Sequence, residues 1–298
     1  NRIADDYAES WELLRSILRR GGTWMLADDH EYWNNYPYLE GFNPYLITLA
    51  MNGGFKNRWE SAAKTGVEVV QQMKTIRTFS IGTDISFCVA DLRSERTDNG
   101  FVSDESFKLL LSWLENLTTP GVLVIGQPLI AGKGNIDDSN LPDWIQYEKL
   151  LLEIQKGSHD IVVLTGDVHY GRVSQVKVGN SNNKLTEVIT SPISNLSELD
   201  GIAAATPDMS KKLFPITNVP DLPKNKIKYL GKITTENKWW DMRFPIKRTT
   251  EHFMTVEFYR DADKIKMKIH AWDARNTVKS TRLPKKITGF NIKPITLN

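Results

Sequence analysis

Two short polar clusters hold the residue types that could do chemistry in this chain: Asp28-Asp29-His30-Glu31 and Gly166-Asp167-Val168-His169. Carboxylates and neutral imidazoles are the oxygen and nitrogen donors that first-row divalent and trivalent metals accept. Two such metals about 3.5 to 4 Å apart can clamp a phosphoryl group for in-line displacement. Either cluster alone also reads as a solvated loop. The pair is more informative, because each follows an apolar run, Thr23 to Ala27 and Ile161 to Thr165. In a parallel or mixed sheet, the strand ends share one rim. A third run, Gly121 to Ile125, leads into Gly126-Gln127-Pro128 and would present an amide at the same rim; Ile85 to Leu92 is a further strand candidate, ending in Asp91-Leu92-Arg93-Ser94-Glu95-Arg96.

Those runs are read as buried strands with helices between them. Asp5 to Arg20 places Tyr7, Trp11, Leu14, Ile17 and Leu18 on one helical face, with Gly21-Gly22 as the stop. Ser103 reads as a helix cap ahead of Phe107, Leu110, Leu111, Leu114 and Leu117. Asn140-Leu141-Pro142 opens another helix whose inner surface is Trp144, Ile145, Tyr147, Leu151 and Ile154, and Gly157 ends it. Helix and strand therefore alternate through the first 170 residues, the pattern of an α/β fold.

The pattern then changes. Val173 to Val178 and Leu185 to Thr190 read as strands, and Phe253 to Tyr259 with Ile265 to Trp272 as a hairpin. Met254, Val256, Phe258, Ile265, Met267 and Ile269 alternate with polar residues, so one face is buried and one is wet. The stripe of Lys264, Lys266 and Lys268 is read as that wet face. Residues 201–248 are read as an irregular excursion or cap within a single domain spanning 1–298.

Composition narrows the function classes. The chain has 298 residues, 40% hydrophobic, enough for a large core. Lysine plus arginine (38) nearly balances aspartate plus glutamate (36), so no strong field points to nucleic acid or an anionic membrane. The lone Cys88 sits in an apolar strand and reads as an inert core thiol. No apolar run approaches the roughly 20 residues of a membrane helix. The chain opens Asn1-Arg2-Ile3 without methionine, and an N-terminal piece is expected to have been removed.

Four ordered motifs resemble one family. Trp24 to Glu31 followed by Asn34-Asn35, Asp91-Leu92-Arg93-Ser94-Glu95-Arg96, Gly126-Gln127-Pro128-Leu129 with Asn140 to Asp143, and Leu164 to Gly171 are similar in order and spacing to segments of PhoD-like alkaline phosphatases, within the calcineurin-like metallophosphoesterases. The resemblance implies an α/β/β/α sandwich of two mixed sheets, with the C-terminal hairpin completing one of them. It implies two metal ions of the iron, calcium, zinc or manganese class. Asp28, Asp29, Gln127, Asp167 and His169 would fall at or beside metal positions, and His30 would be the acid for the leaving group. Asn34, Asn35, Arg93 and Arg96 would be outer ligands or phosphate contacts, against a plainer reading as loop hydrogen bonds and surface ion pairs.

The implied reaction is hydrolysis of small phosphate monoesters or diesters, in an extracytoplasmic setting. A phospholipase D-type esterase is a further possibility within the family. The family's earlier aspartate segment and its bridging-aspartate block have no counterpart before Trp24. The reading is therefore a C-terminal fragment, its other part lost or supplied as a separate chain, with weak activity alone. The rival is a non-catalytic binding module on a degenerate phosphatase fold.

Overall fold

The computed structural model describes residues 8, 11–12, 15–16, 18–28, 31–32, 36–37, 53–72, 74–134, 139–191, 193, 208–233, 251–277 and 283–298. β1 (Ile76–Ile81) and β2 (Ile85–Ala90) form an antiparallel hairpin. β2, β3 (Gly121–Val124), β4 (Ile161–Thr165) and β6 (Lys184–Ile189) then run parallel to one another. β3 and β4 are short aliphatic runs, the composition expected of strands covered on both faces, whereas β2 includes Ser86 and Cys88 and β6 includes Thr186 and Glu187. β5 (Gly171–Lys177) returns antiparallel to β6. A two-strand ribbon, β7 (Leu213–Phe214) with β8 (Asn225–Lys226), precedes β9 (Lys228–Ile233), which pairs with β5. The seven-stranded order is β1-β2-β3-β4-β6-β5-β9.

Three helices have defined bounds: α1 (Gly53–Gln71), α2 (Asp104–Glu115) and α3 (Ile145–Lys156). α2 and α3 cover one face of the large sheet, setting Leu110, Leu114, Tyr147 and Leu151 against Cys88, Leu123, Val163 and Leu185. Ser103 caps α2, its hydroxyl accepting the Ser106 N–H at 3.3 Å. Asn140-Leu141-Pro142 opens a single 3-10 turn, closed by the Asp143 carboxylate accepting the Asn140 N–H at 2.8 Å. Because the helical phase starts afresh at Trp144, Ile145 points to solvent and Gln146 and Leu150 take inner positions. In the N-terminal segment, the described residues 8, 11, 12, 15, 16 and 18 are helical and the chain turns just before Gly21.

The other face of the large sheet meets a second sheet. β10 (His252–Asp261) pairs with β11 (Lys264–Thr277), and β11 also pairs with β12 (Pro284–Lys286) and β13 (Ile295–Leu297). Ile265, Met267, Ile269 and Ala271 pack against Ile85, Val122, Val162, Val173, Val188 and Ile233. The α/β class, the two face-to-face sheets and the C-terminal hairpin thus agree with the sequence reading. The hairpin forms most of the second sheet, whose described pairs are all antiparallel where a mixed sheet was expected. The described layers are helix, sheet, sheet. No helix lies over the second sheet among the described elements, and α1 instead packs Ala63 and Val67 on Ala27, Tyr32 and Tyr36.

Three stretches differ from the sequence reading. Thr23 to Ala27 is not a strand of either sheet; Trp24 lies on β1, stacked 4.9 Å from Phe79. Its apolar character comes from capping an aromatic row in which Phe79 stacks on Phe87 at 4.9 Å and Phe87 meets Phe258 edge-on at 5.9 Å. β9 lies inside the expected excursion yet joins the large sheet. Its half-exposed edge position erases the alternation that would have marked it as a strand. β1 is likewise an edge strand, largely solvent-facing beyond Ile76, and carries little apolar signal. Among the described residues, no helix is long and apolar enough to cross a membrane.

Candidate functional site

Three neighbouring parallel strands, β2, β3 and β4, end on one rim, and each end carries polar groups. After β2, the buried Asp91 carboxylate accepts the N–H groups of Arg93 and Ser94, each at 2.9 Å, as well as the Ser94 hydroxyl. This side-chain turn throws Arg93 across the rim. Its Nη1 donates to the Tyr36 carbonyl at 3.1 Å and its Nη2 to Asp28 Oδ1 at 3.2 Å, with Asp167 Oδ2 at 3.8 Å.

After β3, Gln127 bridges two partners. Its Oε1 accepts Arg96 Nη2 at 2.7 Å, and its Nε2 donates to Asp167 Oδ2 at 3.0 Å and to the Ser139 carbonyl at 3.3 Å. Arg96 is itself held by Nε donating to the Leu92 carbonyl at 3.2 Å, with its guanidinium 4.8 Å over the Trp144 ring. Stacking of this kind helps to fix the plane of a guanidinium.

After β4, the Val168 N–H closes a tight turn on the Gly166 carbonyl at 2.9 Å. Asp167 and His169 flank it with φ of 70° and 56°, in the left-handed region. Side chains there cost conformational energy on the order of 1–3 kcal/mol, and such residues cluster where a group must be aimed. Here the carboxylate of Asp167 is turned back toward Gln127 and Arg93. Asp28 arrives from the segment beside β1, its N–H donating to Glu31 Oε2 at 2.7 Å. The Ala27 carbonyl passes next to Gly126, which brings that segment to the end of β3.

Of the residues singled out in the sequence, Asp28, Arg93, Arg96, Gln127 and Asp167 therefore converge. His169 is on the same turn as Asp167 and half-buried. Asp29, His30, Asn34 and Asn35 lie outside the described residues. Arg93 and Arg96 are not surface ion pairs, at 5% and 4% exposure. Among the described residues, no group of three histidine, cysteine, aspartate or glutamate side chains could hold a metal. Asp28 and Asp167 both face Arg93, and the Gln127 oxygen that a metal would take faces Arg96. The described side chains alone form a hydrogen-bonded network and do not fit a metal.

Burial and neighbouring carboxylates set the nearby phenols. Tyr32 stacks 4.1 Å from Tyr36, and burial first, then the charges of Asp91, Glu31 and Glu60, push its hydroxyl up to about 12 despite the opposing Ser94 hydroxyl. Burial and Glu60 raise Tyr36 further. Neither phenol ionises near neutral pH, so neither serves as a base there.

Sequence reasoning passed over Asp91 as a turn-former, Tyr36 and Ser139 as carbonyl partners, and a buried pair behind the rim, Glu187 with Arg172. The signal for the pair was present: a carboxylate in the middle of the run Leu185 to Thr190, whose other neighbours are those of a buried strand.

No family model matches the chain, and neither does any curated protein. Among solved structures, that described as "Structure of PhoD" is similar to it at 17% identity and a TM-score of 0.44, over 89% of this chain and 55% of that one. This chain spans about half the length of that structure. The fold class rests on the strand order and the sheet packing themselves.

Proposed function

We infer that this chain carries part of the active site of a metal-dependent hydrolase of small phosphate esters. The observation that supports this is the convergence of Asp28, Arg93, Gln127 and Asp167, from segments far apart in sequence, at adjacent strand ends. Asp28 and Asp167 both face the Arg93 guanidinium, and the carboxylates of Glu31 and Asp91 accept backbone N–H groups of the same loops. An anionic ester would be repelled without further positive charge. Asp29 and His30, which follow Asp28 in sequence, are the residues we assign to bring in metal together with Asp167 and His169; two ions is the number the family resemblance implies.

The roles of this chain's own residues follow from their partners. Arg93, fixed by the Tyr36 carbonyl, would meet an equatorial phosphoryl oxygen. Arg96 is committed to Gln127 and Trp144 and would orient Gln127 without touching substrate. His30 would give its proton to the leaving oxygen. The test is turnover of p-nitrophenyl phosphate and bis(p-nitrophenyl) phosphate with metal analysis, on this chain alone and with any upstream chain added. Bound metal with turnover that falls roughly a hundredfold in His30→Ala supports the reading. Undiminished turnover in His30→Ala removes that residue from the mechanism. A metal-free, inactive protein would favour the rival binding module, in which Arg93 permanently neutralises Asp28 and Asp167.

A further inference from the structure

The large sheet hides an ion pair on its helix-facing side. Glu187 is fully buried on β6, and Arg172, 3% exposed, lies at the start of β5. Glu187 Oε2 accepts Arg172 Nη2 at 3.0 Å, while Oε1 accepts two backbone N–H groups, Leu129 at 2.7 Å and Ile130 at 2.8 Å. Arg172 Nη2 also reaches the Ile130 carbonyl at 3.1 Å and Nη1 the Asp208 carbonyl at 2.5 Å. Tyr147, buried on α3, donates its hydroxyl to the Leu129 carbonyl at 2.9 Å. The guanidinium lies 5.4 Å from the Tyr170 ring and 5.6 Å from the Tyr229 ring.

An apolar pair of similar volume would hold a core about as well, because desolvation offsets most of the attraction between buried charges. What the ion pair adds is direction. It fixes the backbone at Leu129 and Ile130, one proline away from Gln127, and proline's fixed φ transmits that position along the chain. It also fixes β5 three residues after His169, with Tyr170 stacked on the same guanidinium. The geometry points to Glu187 and Arg172 as positioning residues that hold the Gln127 loop and the Asp167 loop in register, so that Gln127 Nε2 meets Asp167. The positioning is argued for the site proposed above and rests on that reading for its catalytic consequence, though not for the structural one.

The test compares 15N-labelled wild-type chain with Glu187→Gln and with the double variant Glu187→Leu, Arg172→Met. The readout is the side-chain amide of Gln127, identified by its loss in Gln127→Ala. The controls are the indole N–H signals of Trp113 and Trp272, which donate to Ser86 on β2 and Thr255 on β10, outside the hydrogen-bond network of the pair. Solvent exchange of the Gln127 amide is expected to be at least about tenfold faster in both variants while the two indole signals hold, with the melting temperature kept in the double variant and lowered in Glu187→Gln, which leaves the buried Arg172 charge unpaired. An unchanged Gln127 amide in a folded variant overturns the inference. Equal loosening at Trp113 and Trp272 also overturns it, since the pair would then be merely structural. Arg172→Lys, which keeps charge but loses the fork, replaces either variant that fails to fold and is read the same way. Phosphate-ester turnover is recorded in parallel: an inactive wild type counts against the phosphatase reading and leaves the amide comparison standing.

Discussion

The two faces of the seven-stranded sheet are built on different principles. The face toward the second sheet is made of apolar side chains, aliphatic and aromatic, from Ile85 to Leu297, with the buried His252 against Gly171 at its edge. The face toward α2 and α3 combines a larger apolar cluster with Glu187, Arg172 and the loops that leave the strand ends. Non-directional burial stabilises the first and tolerates small shifts. Directed hydrogen bonds define the second, and the candidate site sits at its edge. Stability and site geometry should therefore respond separately to substitution.

The largest effect should come from the apolar face. Met267→Ala removes a fully buried side chain between the sheets and should cost about 2–5 kcal/mol in urea unfolding while leaving the KM for a phosphate ester unchanged. A KM shift as large as the stability loss would break the separation. Next, Arg93→Ala should lower turnover about a hundredfold or more, the usual loss for one preorganised donor, with a much smaller change in urea midpoint. The reverse ranking would mean that Arg93 is structural.

Cys88 lies on the helix-facing side, where burial pushes its thiol up to about 12. It should react with a disulfide reagent at neutral pH only when the protein unfolds, and fast native labelling would show that this core opens. The smallest effect concerns Glu95. Partial burial opposes its charge, but donors from Ser103, Thr75 and Ser106 win and hold its carboxyl below the usual 4.5. A depressed carboxylate stabilises the fold above its unfolded pKa, and that contribution is lost as pH falls through the folded pKa. Glu95→Gln should therefore lose less stability than wild type between neutral pH and about pH 3, by under ~1 kcal/mol given its exposure. Identical acid curves would remove Glu95 from that role.

Much of this was legible in the sequence. Strand ends that deliver Asp167 and Gln127 stand out because β3 and β4 are buried on both faces and read as unbroken apolar runs. The hairpin of β10 and β11 shows its period of two because one face is wet. Edge strands escaped notice: Ile76–Ile81 and Lys228–Ile233 carry polar residues at solvent-facing positions and lose the periodic signal. Thr23 to Ala27 misled in the opposite sense, since an apolar segment can pack on aromatic rings without pairing. That Asp28 and Arg93 belong to one site was implied by the family resemblance alone, and their contact was not read from the sequence. The Glu187 to Leu129 bond could not be expected, because a side chain meeting a distant backbone leaves no pattern in either segment.

The most direct test of the central claim is a crystal structure of this chain grown with manganese and inorganic phosphate. The account expects Asp28, Arg93, Gln127 and Asp167 around one rim, with phosphate within hydrogen-bond reach of Arg93. Phosphate bound elsewhere, or those four side chains far apart, would contradict it.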